Sequence, residues 1–190
     1  MLYFQTTLPL LSIFLPLSAL TQAHMSLKSP PSLGYLGNPH ATNFDYDLKT
    51  PISGAQYPCK GYHLEPSQGA NQPVTSWAAG SLQSFELEGS AIHDGRSCQT
   101  SLSYDNGATF KVISSYIGGC PAAGNAPFVF KAPVEAQSGR ALFAWTWFNK
   151  TGNREMYMVG VCPQLFWMDV LMRGVRVVRW WRSLVAGKRG

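Results

Sequence analysis

The segment ALFAWTWFNKTGNREMYMVGV, residues 141–161, decides the fold class. Two segments of strand length, 141–148 and 154–161, are largely apolar, with Arg154 and Glu155 as the charged exceptions, and they flank a polar stretch from Asn149 to Asn153 that contains Gly152. Apolar runs joined by a short loop with glycine are typical of a β-hairpin, because glycine adopts turn conformations that other residues avoid. The sequence therefore predicts two antiparallel strands here.

Three aromatic residues of the first run, Phe143, Trp145 and Trp147, share one face of the strand, because side chains alternate with period two. Such a row could form a platform on which sugar rings stack, but two tryptophans within an apolar strand more often belong to a core. We therefore predict that this face is buried. Exposed aromatic contacts are expected from three tyrosines in loops: Tyr35, Tyr46 and Tyr62.

Further strands are predicted along the chain. Residues 81–88 alternate apolar and polar side chains, as a half-buried strand does. Residues 98–104 and 109–116 flank Asp105-Asn106-Gly107, a turn sequence typical of a hairpin because Asn and Gly tolerate positive φ. Residues 24–75 are rich in Pro, Gly, Ser and Asn and predict long loops. Short strands between such turns, without a 3.6-residue period, indicate an all-β sandwich with long loops.

The composition narrows the class of protein. The 190 residues include 13% charged residues, 13% aromatic residues and only 4 Cys. About a quarter of the residues in an average globular domain are charged, so the low fraction indicates a secreted or wall-associated protein. One domain fits the length. The aromatic content excludes a disordered chain, and four Cys in a chain this long exclude a disulfide-dense miniprotein.

The net charge of +5 does not indicate a nucleic-acid partner, because of where the charges lie. Residues 24–161 carry nine Lys/Arg and nine Asp/Glu, so this part is neutral. The excess lies in residues 162–190, where six basic residues face only Asp169. A nucleic-acid-binding domain would instead carry its basic residues across the folded surface.

The first 23 residues are predicted to be a secretory signal peptide. Leu8 to Leu20 is almost wholly apolar or small, and it is too short to span a bilayer. Thr21-Gln22-Ala23 offers small residues at positions −3 and −1 of a cleavage site. A buried apolar strand is the alternative interpretation. Cleavage after Ala23 would make His24 the first residue of a secreted, extracellular protein, for which no transmembrane segment is expected.

Three regions are therefore expected: a leader over 1–23, a β-sandwich over 24–161, and an atypical tail over 162–190. The tail holds three of the six Trp, and its valines interleave with arginines in no clean period. It could be a basic extension that touches a membrane or an anionic wall polymer, an interaction tail, or an out-of-frame or unspliced translation. The abrupt change of amino-acid composition at the start of the tail favours an out-of-frame or unspliced translation.

Histidines are the candidate metal ligands. His40 and His63 lie in loops and are expected to be ordinary surface residues. His24 differs, because cleavage would let its α-amine and its ring Nδ1 chelate one ion. The α-amine has an ordinary pKa of about 7.7–8.0, so a metal can displace its proton near neutrality. One further imidazole would complete three nitrogens, the tetragonal environment that suits Cu(II).

Five segments, in order along the chain, carry a resemblance to a known family: His24 to Pro31, Pro58 to Tyr62, Gly89 to Cys98, Ala144 to Lys150 and Asn153 to Met158. They resemble fungal lytic polysaccharide monooxygenases, most nearly the chitin-active auxiliary-activity family eleven. The similarity covers residues 24 to about 158 and stops after Met158. It implies an immunoglobulin- or fibronectin-III-like β-sandwich.

The resemblance also implies a site for one copper ion. His24 matches the N-terminal ligand, and His93 matches the second histidine. Tyr157 matches the axial tyrosine, whose phenol oxygen lies near the metal, and Glu155 matches an acid that handles protons. Ala91 matches the small residue over the open axial position. Strand period independently requires Glu155 and Tyr157 to share a face, as it does Ala91 and His93 if that stretch is extended.

The implied activity is oxidative cleavage, at C1 or C4, of glycosidic bonds in chitin or a related insoluble polysaccharide. The implied co-substrates are an external reductant and O₂ or H₂O₂, and a monomer is expected. The alternative is a non-catalytic secreted copper- or chitin-binding protein. A metal-free surface or effector protein would require that His24 is not N-terminal. Taken singly, His93 could be a turn residue, Glu155 a surface charge and Tyr157 a core residue.

Four cysteines allow three disulfide connectivities. Cys98 and Cys120 flank the Asp105 hairpin and are expected to pair. Cys59 would by resemblance pair with a cysteine just after Tyr157, for which Cys162 is a displaced candidate. Export would also make Asn149, in Asn149-Lys150-Thr151, a glycosylation acceptor on a loop.

Overall fold

The computed structural model describes residues 25–90, 92–122, 126–152, 155–161 and 163–166, with only the backbone for Arg96 and 163–166. Within these ranges the chain forms ten strands and two short 3₁₀ segments, Gly54–Gln56 and Cys59–Leu64. The strands are β1 (Met25–Ser29), β2 (Thr75–Ala78), β3 (Leu82–Gly89), β4 (Arg96–Ser103), β5 (Lys111–Ile117), β6 (Phe128–Lys131), β7 (Gly139–Arg140), β8 (Leu142–Asn149), β9 (Met156–Val161) and β10 (Pro163–Phe166). The leader and His24, and residues 167–190 of the tail, lie outside the described residues, so their predictions stay predictions.

The strands form three sheets. The largest is antiparallel, in the order β5-β4-β8-β9, and a second antiparallel sheet has the order β1-β3-β6. In the third, β10 lies between β2, to which it is parallel, and β7, to which it is antiparallel. Both predicted hairpins are present, because β4 pairs with β5 across the Asp105 turn and β8 pairs with β9. The prediction of an all-β sandwich is confirmed.

The core lies between the two antiparallel sheets and is largely aromatic. The ring of Phe143 on β8 lies 5.3 Å from that of Phe130 on β6 and 5.0 Å from that of Trp77 on β2. Phe143, Trp145 and Trp147 have no exposed surface, so the prediction of a buried face is confirmed. A stacking platform for sugar rings on this face is excluded by its burial.

The loop-rich region after β1 is fixed by a buried ion pair. Lys60 Nζ donates to Asp45 Oδ2 at 2.7 Å, and the Tyr62 hydroxyl donates to the same oxygen at 2.9 Å. Burial alone would raise the pKa of Asp45, but these bonds and one from the Asp47 backbone lower it. The Leu33 amide donates to the Gly160 carbonyl at 2.8 Å and ties the loop to β9.

The three loop tyrosines differ in exposure. Tyr46 is 89% exposed, as predicted. Tyr35 and Tyr62 are instead half-buried and hydrogen-bonded, Tyr35 to Glu88 and Tyr62 to Asp45. Only Tyr46 of the three is therefore free to offer most of its ring to a partner.

One of the two predicted disulfides is formed. Cys98 on β4 is bonded to Cys120, as expected. Cys59 is a buried free thiol, and burial raises its pKa to about 12. Its Sγ faces β9, where a Cβ added to Gly160 would lie 3.0 Å from it. The predicted partner of Cys59, Cys162, lies outside the described residues, so the Cys59–Cys162 pairing stays a prediction.

The described fold extends past the predicted boundary at residue 161, because β10 begins at Pro163 and pairs with two strands. None of the described helical segments has the length and apolar character needed to cross a membrane.

Two phenylalanines on β8 test the assignment of the core. Phe143 is fully buried, whereas Phe148 is 53% exposed. We expect Phe143→Ala to lower the free energy of unfolding by about 3–5 kcal/mol, because it removes packed aromatic surface and leaves a cavity. Phe148→Ala on the same strand should cost about 1 kcal/mol or less. Urea denaturation measures both, and equal losses would contradict this core.

Candidate metal centre

His93 lies in a tight turn between β3 and β4. Three successive residues have positive φ: 44° at His93, 57° at Asp94 and 63° at Gly95. The Gly95 amide donates to the Ile92 carbonyl at 2.7 Å and closes the turn. His93 is therefore not in an extended segment, so the condition under which it would share a strand face with Ala91 is not met. Ala91 lies outside the described residues.

The turn is held by contacts from two sides. Thr151, in the loop between β8 and β9, donates its amide to the His93 carbonyl at 3.3 Å and its hydroxyl to Asp94 Oδ2 at 2.6 Å. On the other side, a Cβ added to Gly95 would lie 3.0 Å from the Pro121 carbonyl oxygen. Pro121 follows Cys120, which the disulfide fixes to β4. A left-handed backbone conformation at a residue other than glycine costs about 1–3 kcal/mol of conformational free energy. The contacts on the two sides of the turn hold His93 in this conformation.

The imidazole of His93 has one nitrogen without a partner. Nε2 is buried and makes no hydrogen bond to any described residue. Nδ1 faces the β8–β9 loop, where a Cβ added to Gly152 would lie 3.8 Å from it. The ring centroid lies 6.0 Å from that of Trp147. A buried polar atom without a partner is costly, so Nε2 is available to a ligand or a metal.

Tyr157 and Glu155 lie beside the same tryptophan. The Tyr157 ring stacks on Trp147 with centroids 4.5 Å apart, and its hydroxyl donates to Glu155 Oε2 at 3.0 Å. The two residues therefore share a face of the chain, as strand period predicted. Burial, followed by the hydrogen bond and the charge of Glu155, raises the pKa of Tyr157 above its ordinary value. The phenol therefore stays protonated at and above neutral pH.

The start of β1 lies at the same end of the sandwich. Met25 pairs with Gly89, the last residue of β3, four residues before His93. His24 precedes Met25 in the chain but lies outside the described residues, as does Arg154 beside Glu155. Among the described residues, no three His, Cys, Asp or Glu side chains gather into a metal-ligand group. This part of the chain supplies one imidazole, and imidazole suits copper.

Asn149, the predicted glycosylation acceptor, holds the β8–β9 loop. Its side chain is 4% exposed; Nδ2 donates to the Thr151 carbonyl at 3.1 Å, and Oδ1 accepts from the Glu155 amide at 2.9 Å. The low exposure of Asn149 leaves little room for a glycan on Nδ2, and glycosylation there stays a prediction. Thr151, the third residue of the Asn-x-Thr pattern, holds the His93 turn.

Comparison with known proteins adds curated relatives, whereas no protein-family model matches. The chain is 43% identical over 145 residues to AA11 family lytic polysaccharide monooxygenase A of Aspergillus fumigatus, an alignment that covers 74% of this chain. It is 34% identical over 156 residues to monooxygenase B of the same family and species, across 72% of the chain. Over the aligned part, the chain belongs to the AA11 family of lytic polysaccharide monooxygenases. A third AA11 relative, from Aspergillus oryzae, is 36% identical over 121 residues.

The AA11 relatives are longer proteins. The chain spans 64% of the length of the first of them, 34% of the second and 28% of the third.

The loop that supports His93 can be tested at Asn149. We expect Asn149→Ala to lower the free energy of unfolding by about 1–3 kcal/mol, because it leaves the Glu155 amide and the Thr151 carbonyl without their partner. Asn149→Asp keeps the acceptor for Glu155 and should cost less. The neighbouring exposed residue gives the control: Lys150→Ala should change stability by no more than about 0.5 kcal/mol. Thermal and urea denaturation measure the stability of all three variants. An Asn149→Ala variant as stable as the wild-type protein would contradict the role of Asn149 in holding the loop.

Proposed function

We propose that the chain is a secreted copper-dependent lytic polysaccharide monooxygenase that cleaves chitin oxidatively. The observation that carries the proposal is the buried Nε2 of His93, which no described residue hydrogen-bonds. The ring lies beside Trp147 and close to the start of β1. Membership of the AA11 family over the aligned part supports it.

The proposed metal ligands are the α-amine and imidazole of His24 and Nε2 of His93, with the Tyr157 phenol nearby. The donor set fits copper, because nitrogen ligands of this kind suit Cu(II) and His93 offers an imidazole nitrogen that nothing else described binds. When bound, copper would supply the redox chemistry: an external reductant would provide electrons, and O₂ or H₂O₂ would be the oxidant of the carbon beside a glycosidic bond.

The protein residues prepare the site in three ways. The contacts of Thr151 and Gly95 fix the His93 turn, so the imidazole does not need to reorganise when it binds a metal. Trp147 packs against the Tyr157 ring and excludes water from that side. Tyr157 is a weak ligand while its phenol is protonated, and its hydrogen bond to Glu155 holds the phenol in place.

Glu155 is proposed to move protons. Its Oε2 accepts the Tyr157 hydroxyl proton in a hydrogen bond of 3.0 Å, which orients the carboxylate. The side chain is half-buried at the start of β9, so its other oxygen can reach the space beside the phenol. A carboxylate held in this position can accept or return a proton during oxidation.

The polymer, the compartment and the oligomeric state are part of the proposal. Chitin follows from the motifs that resemble the chitin-active family, and export follows from the apolar leader with cleavage after Ala23. The neutral charge balance of residues 24–161 suits an uncharged polymer and gives no reason to expect nucleic acid. We propose that the protein acts as a monomer.

Copper binding tests the metal site directly. Removal of one imidazole ligand should cost more than the 10- to 100-fold loss typical of removing a supporting partner, so we expect His93→Ala to weaken Cu(II) binding at least about 100-fold. His40→Ala removes an exposed histidine and is the matched control, with unchanged affinity. Calorimetric titration gives the affinities, and the cupric electron paramagnetic resonance spectrum reports the ligands.

The copper test also requires a defined N-terminus. N-terminal sequencing of the secreted protein should begin at His24. A protein that begins elsewhere, or a His93→Ala variant with the wild-type affinity, would overturn the proposed metal site.

Turnover tests the enzyme. Copper-loaded protein incubated with chitin and ascorbate should release oxidised chito-oligosaccharides, measured by mass spectrometry. We expect Glu155→Gln to keep copper affinity but lower the rate by about 10²–10⁴-fold, because it removes a proton-transfer group. Lys150→Gln, in the neighbouring loop, is the control. Tight copper binding without any oxidised product from the wild-type protein would instead favour the alternative, a non-catalytic copper- or chitin-binding protein.

A further inference from the structure

The buried imidazole of His63 does not offer a second site. The sequence suggested an ordinary surface residue, but His63 is only 9% exposed, so that expectation was wrong. Its Nδ1 has almost no accessible surface, and it has no hydrogen-bond partner among the described residues. A molecule in solution therefore cannot reach this nitrogen. An open interaction surface lies instead on the outside of the largest sheet.

The outer face of the sheet β5-β4-β8-β9 is covered over only part of its length. Leu33 and Cys59, from the loop-rich region, pack in one cluster with Leu142 at the start of β8. Phe148, near the end of β8, points to the same face of the strand but is 53% exposed. The loop region therefore leaves open the end of the outer face that lies nearest to the metal centre.

A shallow depression of about 290 Å³ lies on this open part and is shared by β4, β5 and β8. Residues directly opposite each other on neighbouring strands point to the same face, so they form rows across the sheet. The depression has two such rows: Ile117, Ser97 and Phe148 in the first, and Ser115, Gln99 and Thr146 in the second. We call the six residues the outer patch.

The first row offers apolar surface on both sides of a hydroxyl. Ile117 is 88% exposed and Phe148 is 53% exposed, and Ser97 lies between them. Neighbouring strands lie about 4.8 Å apart, so the backbones that carry the two apolar side chains are about 10 Å apart. Covering this apolar surface with another apolar surface is favourable, and the aromatic ring has the most area to cover.

The second row offers hydrogen bonds without charge. Gln99 Nε2 donates to Ser115 Oγ at 3.2 Å, and the Thr146 hydroxyl donates to the Gln99 carbonyl at 3.4 Å. An amide side chain has a second N–H and a carbonyl oxygen, so Gln99 has further groups for a ligand. None of the described residues that line the depression is charged. A charged partner would lose hydration here without gaining an ion pair, so the patch favours a neutral partner.

We propose that the outer patch binds a stretch of neutral polysaccharide beside the metal centre. The apolar C–H face of a sugar ring packs on Phe148, and hydroxyl groups at the ring edge reach Gln99 and Thr146. Phe148 directly precedes Asn149, which holds the loop that supports His93, so the patch adjoins the metal centre. The inference rests on the proposed function, because the polymer bound here is the one that the metal centre would cleave.

The size of the outer patch favours a slender polymer over a second protein chain. A stable protein interface uses about 20–30 residues on each side. The outer patch presents six, and four of them are small or polar side chains of the kind that bind sugar hydroxyls. A second copy of the chain is therefore the less suitable partner, and the experiment below distinguishes it from the polymer.

Binding to insoluble chitin tests the outer patch without turnover. With no reductant present, we expect Phe148→Ala to weaken binding of the full secreted chain to chitin particles about tenfold, because it removes the stacking surface. Phe148→Tyr keeps the ring and should bind as the wild-type protein does. Leu82→Ala removes a side chain that is 73% exposed on β3, in the other antiparallel sheet, and is the matched control.

Failure of the outer patch and failure of the proposed function give different results. Copper affinity of Phe148→Ala should equal that of the wild-type protein, because Phe148 faces away from Trp147 and the metal centre. Chitin binding that depends on Phe148 without oxidised product would sink the proposed function but not the patch. The patch is ruled out if Phe148→Ala binds chitin as the wild-type protein does, if Leu82→Ala loses as much, or if sedimentation shows that Phe148→Ala only breaks a dimer.

Discussion

The pairing of β8 with strands on both sides is the constraint on which the rest of the structure depends. Its antiparallel register with β4 places Asn149 opposite Arg96, and its register with β9 places Trp147 opposite Tyr157. A shift of one residue would turn the buried aromatic face of β8 outward, so the hydrophobic core fixes the register. Once the register is set, the turn before β4, the loop after β8 and the first residues of β9 meet at one end.

The metal centre therefore depends on the core rather than on a local motif. His93 is held with positive φ, and its Nε2 is buried without a hydrogen-bond partner among the described residues, so two unfavourable features coincide at one residue. Neither would persist in an isolated loop, where the backbone would relax and water would hydrate the ring. They persist here because Thr151 and the segment bonded through Cys120 hold the turn from two sides. Such rigid placement of one imidazole is what a preformed metal site requires.

The sequence predicted those features that depend on short-range pattern. Period-two alternation identified the buried face of β8, and Asp105-Asn106-Gly107 identified a hairpin, because both signals are contained within one element or one turn. The family motifs supplied the candidate ligands, but the left-handed turn at His93 depends on contacts with a loop some 60 residues further along. The burial of His63 and Asn149 could not be predicted either, because it also depends on contacts with distant parts of the chain. Each lies in a segment that reads as a polar loop, and each is covered by other parts of the chain.

The two ends of β8 are joined by one paired strand, but no polar contact runs between them along its buried face. Between Leu142 at one end and the metal centre at the other, the strand carries Phe143, Trp145 and Trp147, all fully buried and packed against neighbouring rings. No charged side chain lies among these three, so an ion at one end has no polar route by which to act on the other. Influence would require a shift of β8 itself, against pairing with β4 and β9 on its two sides. Well-separated positions without shared partners contribute additively, so the two ends of β8 should contribute independently to stability.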